Sequence, residues 1–232
     1  MRMDEMHVVV SGGTGALGRA IVARLLGLGA TVHVPWIADR ELATFPHTTS
    51  VTLAKVELDN EAAVDAFYRG LPSLYASIHV AGGFAMSPIV DTSAAEFERL
   101  FRLNALTCFL CSREAIRAMR RSPRFGADGG RIVNVAARPV VRPAGSMIAY
   151  TASKACVASM TETLAEELKA ERVLVNAVLP SIMDTPANRA AMPSADHSLW
   201  PTTAEVAEAI VFLAAPANAL TSGALMPVYG RA

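Results

Sequence analysis

The chain has 232 residues, of which 52% are hydrophobic and 18% charged, and its 21 basic side chains equal its 21 acidic ones. This length and apolar content predict one α/β domain over residues 1–232, with a large buried core. The balanced charge provides no overall field for nucleic acid or an anionic membrane, so we expect a small-molecule partner instead.

The N-terminal sequence MRMDEMHVVVSGG has no long apolar signal region, and no stretch reaches the roughly 18 apolar residues that a membrane span needs. We therefore expect a cytoplasmic protein with no membrane partner. The three cysteines, Cys108, Cys111 and Cys156, lie in apolar, helix-like sequence. Because no second cysteine pair or nearby histidine completes a site, we interpret them as small buried hydrophobes and expect no metal.

Short β-branched runs alternate with longer helical patterns, which predicts βαβ units and a parallel sheet. The predicted strands are residues 7–10, 31–35, 51–56, 76–80, 131–135, 173–178 and 224–228. The predicted helices are residues 16–28, 60–70, 94–121, 147–171 and 203–214. The fold class is thus α/β, a single doubly wound (Rossmann) domain with a seven-stranded parallel sheet flanked by helices. Residues 186–201 are irregular and follow a strand, which predicts a substrate loop.

The glycine-rich segment SGGTGALG, residues 11–18, joins the first predicted strand to the first predicted helix. Glycine lets the backbone turn tightly and approach a pyrophosphate, and the free N–H groups at a helix start favour an anion. A glycine-rich turn flanked in this way predicts a dinucleotide site. We expect cofactor contacts at Gly12, Thr14, Leu17 and Gly18.

The end of the second predicted strand bears on the form of the cofactor. A carboxylate there takes the ribose hydroxyls of NADH, whereas a basic group accepts the 2′-phosphate of NADPH. This chain has Trp36, which is neither, at the position of that expected contact. Arg40 would suit a phosphate and Asp39 a ribose, and both are equally consistent with solvated loop charges. The sequence leaves NADH and NADPH open.

Tyr150 and Lys154 lie in a strongly helical stretch, four residues apart, so their side chains share one face. A phenol ordinarily has a pKa near ~10, which is too high for ready proton exchange at neutral pH. An ammonium one turn away stabilises the phenolate. The pair therefore predicts a general acid–base site.

Together these motifs resemble those of the short-chain dehydrogenase/reductase family. Residues 11–18 are similar to its T-G-x-x-x-G-x-G motif, with Ala16 at the middle glycine, and residues 80–83 to the end of its N-N-A-G motif, with His79 replacing an Asn. The resemblance covers nearly the whole chain. It implies that Tyr150 donates a proton to the substrate, that Lys154 also binds the nicotinamide ribose, and that Asn104 holds a water connecting Lys154 to solvent.

The family resemblance also implies further cofactor contacts. These are Asp59, Ala81, Gly82, Pro180, Ile182 and Thr185. The predicted helices around Asn104 and Tyr150 carry apolar residues beyond one stripe, and in this family those helices pair between subunits. We expect a homodimer or homotetramer, with a wide core face of a monomer as the alternative.

One position departs from the family pattern. The family has a substrate-polarising Ser thirteen residues before the tyrosine, where this chain has Ala137. Loss of one such donor typically costs about 100- to 1000-fold in rate. Either Ser146, four residues before Tyr150, replaces the hydroxyl, or the substrate does not need it.

Within the family, Ala at that position is typical of the dihydropteridine reductases, which reduce quinonoid dihydropterin. Residues 184–200, the VAGGF turn ending at Phe84 and the MIAY sequence ending at Tyr150 resemble that subfamily. A quinonoid pterin is already electron-poor, so hydride can reach it without a polarising hydroxyl. The resemblance implies that Phe84 and Trp200 flank a flat ring, although ordinary packing explains such aromatics equally well.

Three hypotheses of function remain open. The first is an NAD(P)H-dependent reductase for a conjugated, pterin-like or quinonoid compound. The second is a carbonyl reductase or alcohol dehydrogenase for a small ketone or aldehyde. The third is a nucleotide-binding sensor that no longer catalyses, which the retention of Tyr150, Lys154 and Asn104 argues against.

Overall fold

The computed structural model describes residues 2–231, so Met1 and Ala232 of the predicted domain lie outside the described residues. Seven strands are present, each within a few residues of its prediction. They are β1 (His7–Ser11), β2 (Thr31–Trp36), β3 (Thr52–Lys55), β4 (Ala76–His79), β5 (Gly130–Val135), β6 (Val173–Pro180) and β7 (Leu225–Val228). They form one parallel sheet in the order β3-β2-β1-β4-β5-β6-β7. The predicted fold class is confirmed.

Helices cover both faces of this sheet. They are α1 (Ala16–Gly27), α2 (Asp39–Leu42), α3 (Glu61–Arg69), α4 (Ala94–Phe101), α5 (Thr107–Arg121), α6 (Phe125–Asp128), α7 (Ile148–Glu167), α8 (Pro186–Ala191) and α9 (Thr203–Ala214). None of the helices in residues 2–231 combines the length and the apolar character that a membrane crossing requires.

The core explains why the strand sequences are apolar at consecutive positions. On β1, Val8 and Val10 pack with α1 and α9 on one face, while Val9 packs with α3 and α5 on the other. A strand covered on both sides must bury every side chain, as a parallel sheet requires. Cys108 and Cys111 are buried in this core and burial raises the pKa of each thiol to about 12, which supports their interpretation as small hydrophobes.

Two helix predictions and one loop prediction needed correction. The predicted helix 94–121 is divided by a π-helical turn, Arg102–Leu106, between α4 and α5. The predicted helix 147–171 ends at Glu167, and a 3-10 turn then leads to Arg172, whose φ of 59° is left-handed and incompatible with a continuing helix. Residues 186–201 are not wholly irregular, because Thr185 caps the short helix α8 through its hydroxyl.

The strand order determines where a ligand can enter. The chain passes from β1 to β2 and β3 on one side and returns to β4 on the other. The carboxyl ends of β1 and β4 therefore flank the point at which the strand order reverses, where open α/β sheets bind their ligands.

Candidate active site

A crevice of about 840 Å³ lies at the carboxyl ends of the strands. Its size falls within the range of small-molecule sites, roughly 300–1,000 Å³. Most of the predicted site residues line it: Gly12, Thr14, Leu17, Gly18, Trp36, Asp59, Ala81, Gly82, Phe84, Ala137, Tyr150, Lys154 and Pro180. Residues far apart in sequence thus meet in one cavity.

The glycine-rich turn is too tight for side chains at two positions. Gly12 has φ of 69°, and a Cβ there would lie 2.7 Å from the backbone nitrogen of Ala81. A Cβ on Gly18 would collide with the carbonyl oxygen of Gly12. Helix α1 begins after Gly15, which provides no side-chain cap, so its first N–H groups stay available for an anion.

Helix α2 is tied to this turn by contacts that the sequence analysis missed. The Thr14 hydroxyl donates to the Glu41 carboxylate at 2.7 Å, and the Arg19 guanidinium donates to the carbonyl oxygens of Thr14 (2.6 Å) and Glu41 (2.8 Å). Glu41 and Arg40 both line the crevice. In the sequence, Glu41 is marked only as an acidic residue shortly after β2. The direction in which its side chain points depends on the contacts that Arg19 makes with this segment.

Two ion pairs lie near this end of the crevice. Lys55 forms an ion pair with Asp39 at 3.3 Å and lies 5.0 Å from the centre of the Trp36 ring. Arg102 pairs with the predicted contact Asp59 at 3.1 Å. Asp39 is therefore engaged, whereas Arg40 makes no ion pair within residues 2–231.

Lys154 is buried, and its Nζ donates to the carbonyl oxygen of Val135 at 2.7 Å, at the carboxyl end of β5. Burial lowers the pKa of Lys154 to about 8. Burial raises the pKa of Tyr150 to about 12, the opposite of the direction that the i, i+4 spacing predicted. Desolvation is the cause of this shift, and the phenol keeps its proton at neutral pH. The Phe84 ring meets Tyr150 edge-on, with 4.9 Å between ring centres.

Asn104 is buried in the π-helical turn and contacts Gly83, which lines the crevice. Its Nδ2 donates to the Gly83 carbonyl and to the Ser153 Oγ, both at 3.0 Å, and its Oδ1 accepts from the Gly83 N–H at 2.9 Å. A Cβ on Gly82 would lie 2.5 Å from Asn104 Oδ1 and 3.3 Å from Lys154 Nζ. Asn104 therefore joins the turn after β4 to α7, and its water-holding role stays a prediction.

His79, which replaces the family's asparagine, connects two strands inside the core. Its Nδ1 lies 2.8 Å from Asn134 Oδ1 on β5, and its Nε2 lies 2.9 Å from the Ser77 hydroxyl. Burial lowers the pKa of His79 to about 4, so the ring is neutral at pH 7. The bond to Asn134 links β4 to β5.

Besides Asn104, four predicted residues do not line the crevice. Ser146 has a left-handed φ of 59° and its carbonyl accepts from Ser87, while Thr185 caps α8. Ile182 is exposed at 43%. Trp200 is buried against the His197 ring, with 4.6 Å between ring centres, so the packing alternative describes it better than a ligand contact.

The crevice offers few side-chain hydroxyls beside Tyr150. Ala137 is buried and contributes only a methyl group. Ser181, a lining residue that the sequence analysis did not select, donates its hydroxyl to the Tyr229 carbonyl at 2.7 Å. Met183 adds a second apolar surface that the sequence analysis also missed.

Comparisons with known proteins agree with this architecture. The family model for short chain dehydrogenase matches residues 6–195. The chain is 26% identical to an uncharacterized oxidoreductase, YohF, of Escherichia coli strain K12, over 98% of this chain and 95% of that protein. It is 29% identical to a cyclopentanol dehydrogenase of Comamonas sp. strain NCIMB 9872, over 99% of this chain and 97% of that protein. A solved short-chain type dehydrogenase/reductase from Mycobacterium ulcerans superposes with a TM-score of 0.90 at 22% identity, covering 99% of this chain and 90% of that one.

Proposed function

The chain belongs to the short-chain dehydrogenase family, and on that premise we propose that it transfers hydride between a nicotinamide cofactor and a small organic substrate, with Tyr150 as the proton donor. The observation that carries this proposal is the meeting of Tyr150 and Lys154 with the glycine-rich turn in one crevice. A nicotinamide supplies the hydride when bound. The protein supplies the proton, the binding contacts and a largely apolar wall.

The residues present fit such a cofactor. The absence of side chains at Gly12 and Gly18 and the uncapped start of α1 provide a backbone surface for the pyrophosphate. The Lys154 ammonium faces the same crevice and would hold ribose hydroxyls. Neither Ile182 nor Thr185 lines the crevice, so their contacts with the nicotinamide stay predictions.

We infer that NADH is preferred over NADPH. The Glu41 carboxylate is held at the adenosine end by the Thr14 hydroxyl, and a carboxylate there accepts from ribose hydroxyls and repels a 2′-phosphate. Arg40 is exposed, so its attraction for a phosphate is screened by solvent. The fixed, half-buried carboxylate is therefore expected to dominate the selection.

The protonation state of Tyr150 suits the role of proton donor during reduction. At neutral pH the Tyr150 phenol keeps its proton and can donate it to the substrate. The Lys154 ammonium is held by the Val135 carbonyl, so it stays in place while the proton moves.

The central experiment is a cofactor-depletion assay with a panel of quinonoid dihydropterin, quinones, ketones and aldehydes, comparing the wild type with Tyr150→Phe. We expect at least one class to be turned over and Tyr150→Phe to lose about 100- to 10,000-fold in kcat/KM. Cofactor binding by the variant, measured by fluorescence, should be retained. Full activity of Tyr150→Phe would contradict the proposal, and cofactor binding without any turnover would instead favour a sensor.

For the substrate, we propose first a conjugated acceptor of the pterin-like or quinonoid type. Ala137 supports this, because its methyl faces the crevice where a polarising hydroxyl would be needed for a simple ketone. Phe84, 59% exposed beside Tyr150, offers a ring against which a flat substrate can pack. The resemblance to dihydropteridine reductases stays part of this proposal, but we do not propose that Trp200 contacts the substrate.

The second candidate is a secondary alcohol or the corresponding ketone. The similarity over nearly full length to a protein named cyclopentanol dehydrogenase supports it. Ser146→Ala should leave activity on ketones unchanged, because Ser146 does not line the crevice. Variant Ala137→Ser separates the candidates: it should raise turnover of ketones and leave turnover of quinonoid compounds nearly unchanged.

We also propose that the protein self-associates through α4 and α5. Phe97, Phe101 and Phe109 are between 41% and 46% exposed on these helices. Large aromatics exposed together mark interaction surfaces. Light scattering on wild type and on Phe109→Glu tests this: the wild type should be a dimer or tetramer, and the variant should dissociate.

A further inference from the structure

A second cleft, of about 430 Å³, lies at the opposite end of the sheet, beside the amino ends of β5 and β6. Three of its lining side chains are cationic: Arg131, Lys169 and Arg172. Its apolar lining includes Met6, Leu174, Pro216, Ala219 and Leu220. It shares no residue with the crevice that holds Tyr150.

Arg131 is the unusual residue of this cleft, because a buried cation normally has an anionic partner. It is only 7% exposed, and its guanidinium donates to the Asn218 carbonyl (3.1 and 2.8 Å) and to the Gly130 carbonyl (2.8 Å). It also stacks over the Tyr75 ring at 5.6 Å. Within residues 2–231 it forms no ion pair, so the contacts that stabilise its charge are these carbonyl oxygens and the Tyr75 ring.

The other charges leave the cleft positive. Arg172 is exposed and makes no ion pair within residues 2–231. Burial lowers the pKa of Arg131, Tyr75 raises it, Arg172 lowers it and Asp128 raises it, so Arg131 lies in the field of both charged neighbours. The carboxylate in the cleft lining, Asp128, is held by Arg124 at 2.8 Å, and Lys169 pairs with Glu166 at 2.7 Å.

We propose that this cleft binds a small organic anion, with its carboxylate or phosphate head toward Arg131 and Arg172 and its hydrocarbon body against Leu174, Pro216 and Leu220. The exposed Arg172 guanidinium presents planar donors that match either head group, and Arg131, whose nitrogens already donate to carbonyls, adds a permanent positive charge behind it. Leu220, which is 91% exposed, gains the most from being covered. The volume suits a ligand of this size.

Isothermal titration calorimetry with octanoate tests the proposal, using the whole protein with saturating NADH so that the cofactor crevice is filled. Octyl phosphate tests the other head group, while 1-octanol has the tail without the charge and inorganic phosphate has the charge without the tail. We expect octanoate or octyl phosphate to bind, and both 1-octanol and inorganic phosphate to bind at least 10-fold more weakly. Equal binding of 1-octanol would overturn the proposed role of the arginines.

Variants then locate the ligand. Arg172→Gln should weaken binding of the better anion about 10-fold, and Asp128→Asn should strengthen it, because one removes and the other adds net positive charge. Arg69→Gln is the matched control, since Arg69 is an exposed arginine paired with Asp65 and does not line the cleft. Unchanged affinity in Arg172→Gln, equal losses in Arg69→Gln, or competition between octanoate and NADH would each overturn the assignment.

Discussion

A buried cation donates to backbone carbonyls at each end of β5. At the carboxyl end, Lys154 donates to Val135, and at the amino end Arg131 donates to Gly130 and Asn218. The two residues are 6% and 7% exposed, and neither forms an ion pair within residues 2–231. Burial lowers the pKa of both, to about 8 for Lys154, but a guanidinium keeps its charge at any physiological pH.

This difference explains why the two ends suit different chemistry. A lysine with a pKa of about 8 is poised to take part in proton exchange, and it lies beside Tyr150 in the crevice. An arginine provides a permanent positive charge, which suits the binding of an anion and offers no proton. Similar burial and similar carbonyl partners therefore lead to different functions through the choice of side chain.

The largest expected effect is on kcat/KM, when the buried cation in the crevice is removed. Lys154→Met should lower kcat/KM by about 100- to 10,000-fold, because it removes the ammonium that binds ribose and neighbours the proton donor. Arg131→Met should change kcat/KM less than threefold, since Arg131 lies outside the crevice. Steady-state kinetics on the best substrate of the panel measures both. An equal loss in the two variants would mean that Lys154 acts only through folding.

A second prediction concerns stability and pH. The pKa of Lys154 is about 8 in the folded state and 10.5 ordinarily, so between these values the unfolded chain binds more protons. The contribution of Lys154 to the free energy of unfolding therefore rises with pH through this window, by about 3 kcal/mol at most. The raised thiol pKa values of Cys108 and Cys111 act in the opposite direction in every variant, so the quantity to compare is the difference between proteins. In denaturant unfolding at pH 7.5 and 10.5, the free energy of unfolding of the wild type and of Arg131→Met should increase relative to that of Lys154→Met as the pH is raised. Identical slopes in the three proteins would contradict the lowered pKa.

At the other end of the strand, Arg131→Met should lower the free energy of unfolding by about 2 kcal/mol at pH 7.5. The substitution leaves the buried carbonyl oxygens of Asn218 and Gly130 without the donors that they have now. Urea unfolding followed by circular dichroism measures the change, and Arg69→Gln, on the surface, should cost less than 1 kcal/mol. A neutral Arg131→Met would show that water replaces the guanidinium.

The smallest predicted effect concerns the adenosine end of the crevice. Glu41→Gln should raise the ratio of kcat/KM for NADPH to that for NADH about 10-fold, because it removes a carboxylate beside the expected 2′-phosphate position. Arg40→Gln, one residue away, should shift the ratio in the opposite direction by a smaller factor. If the wild type already prefers NADPH, the inference from Glu41 is wrong and Arg40 is the selecting residue.

Much of the fold was predictable because it depends on local patterns. Apolar runs of strand length, separated by helical periodicity, predicted the seven strands and the long helices within a few residues. The π-helical turn at Arg102–Leu106 and the cap at Thr185 were not predicted. Both depend on contacts that local periodicity does not encode: the Asn104 side chain bonds to Gly83 and Ser153, and Thr185 bonds to Asn188.

The sequence by itself determined the backbone of the cofactor site, because glycine spacing and the strand-to-helix change are local properties of residues 11–18. It also identified Tyr150 and Lys154 as neighbours, since a helix places residues four apart on one face. Only the tertiary structure decided the raised pKa of Tyr150, the direction of Glu41, the burial of Trp200 and the cleft around Arg131. Each of these depends on which distant segments remove water from a side chain, and that is a property of packing rather than of spacing along the chain.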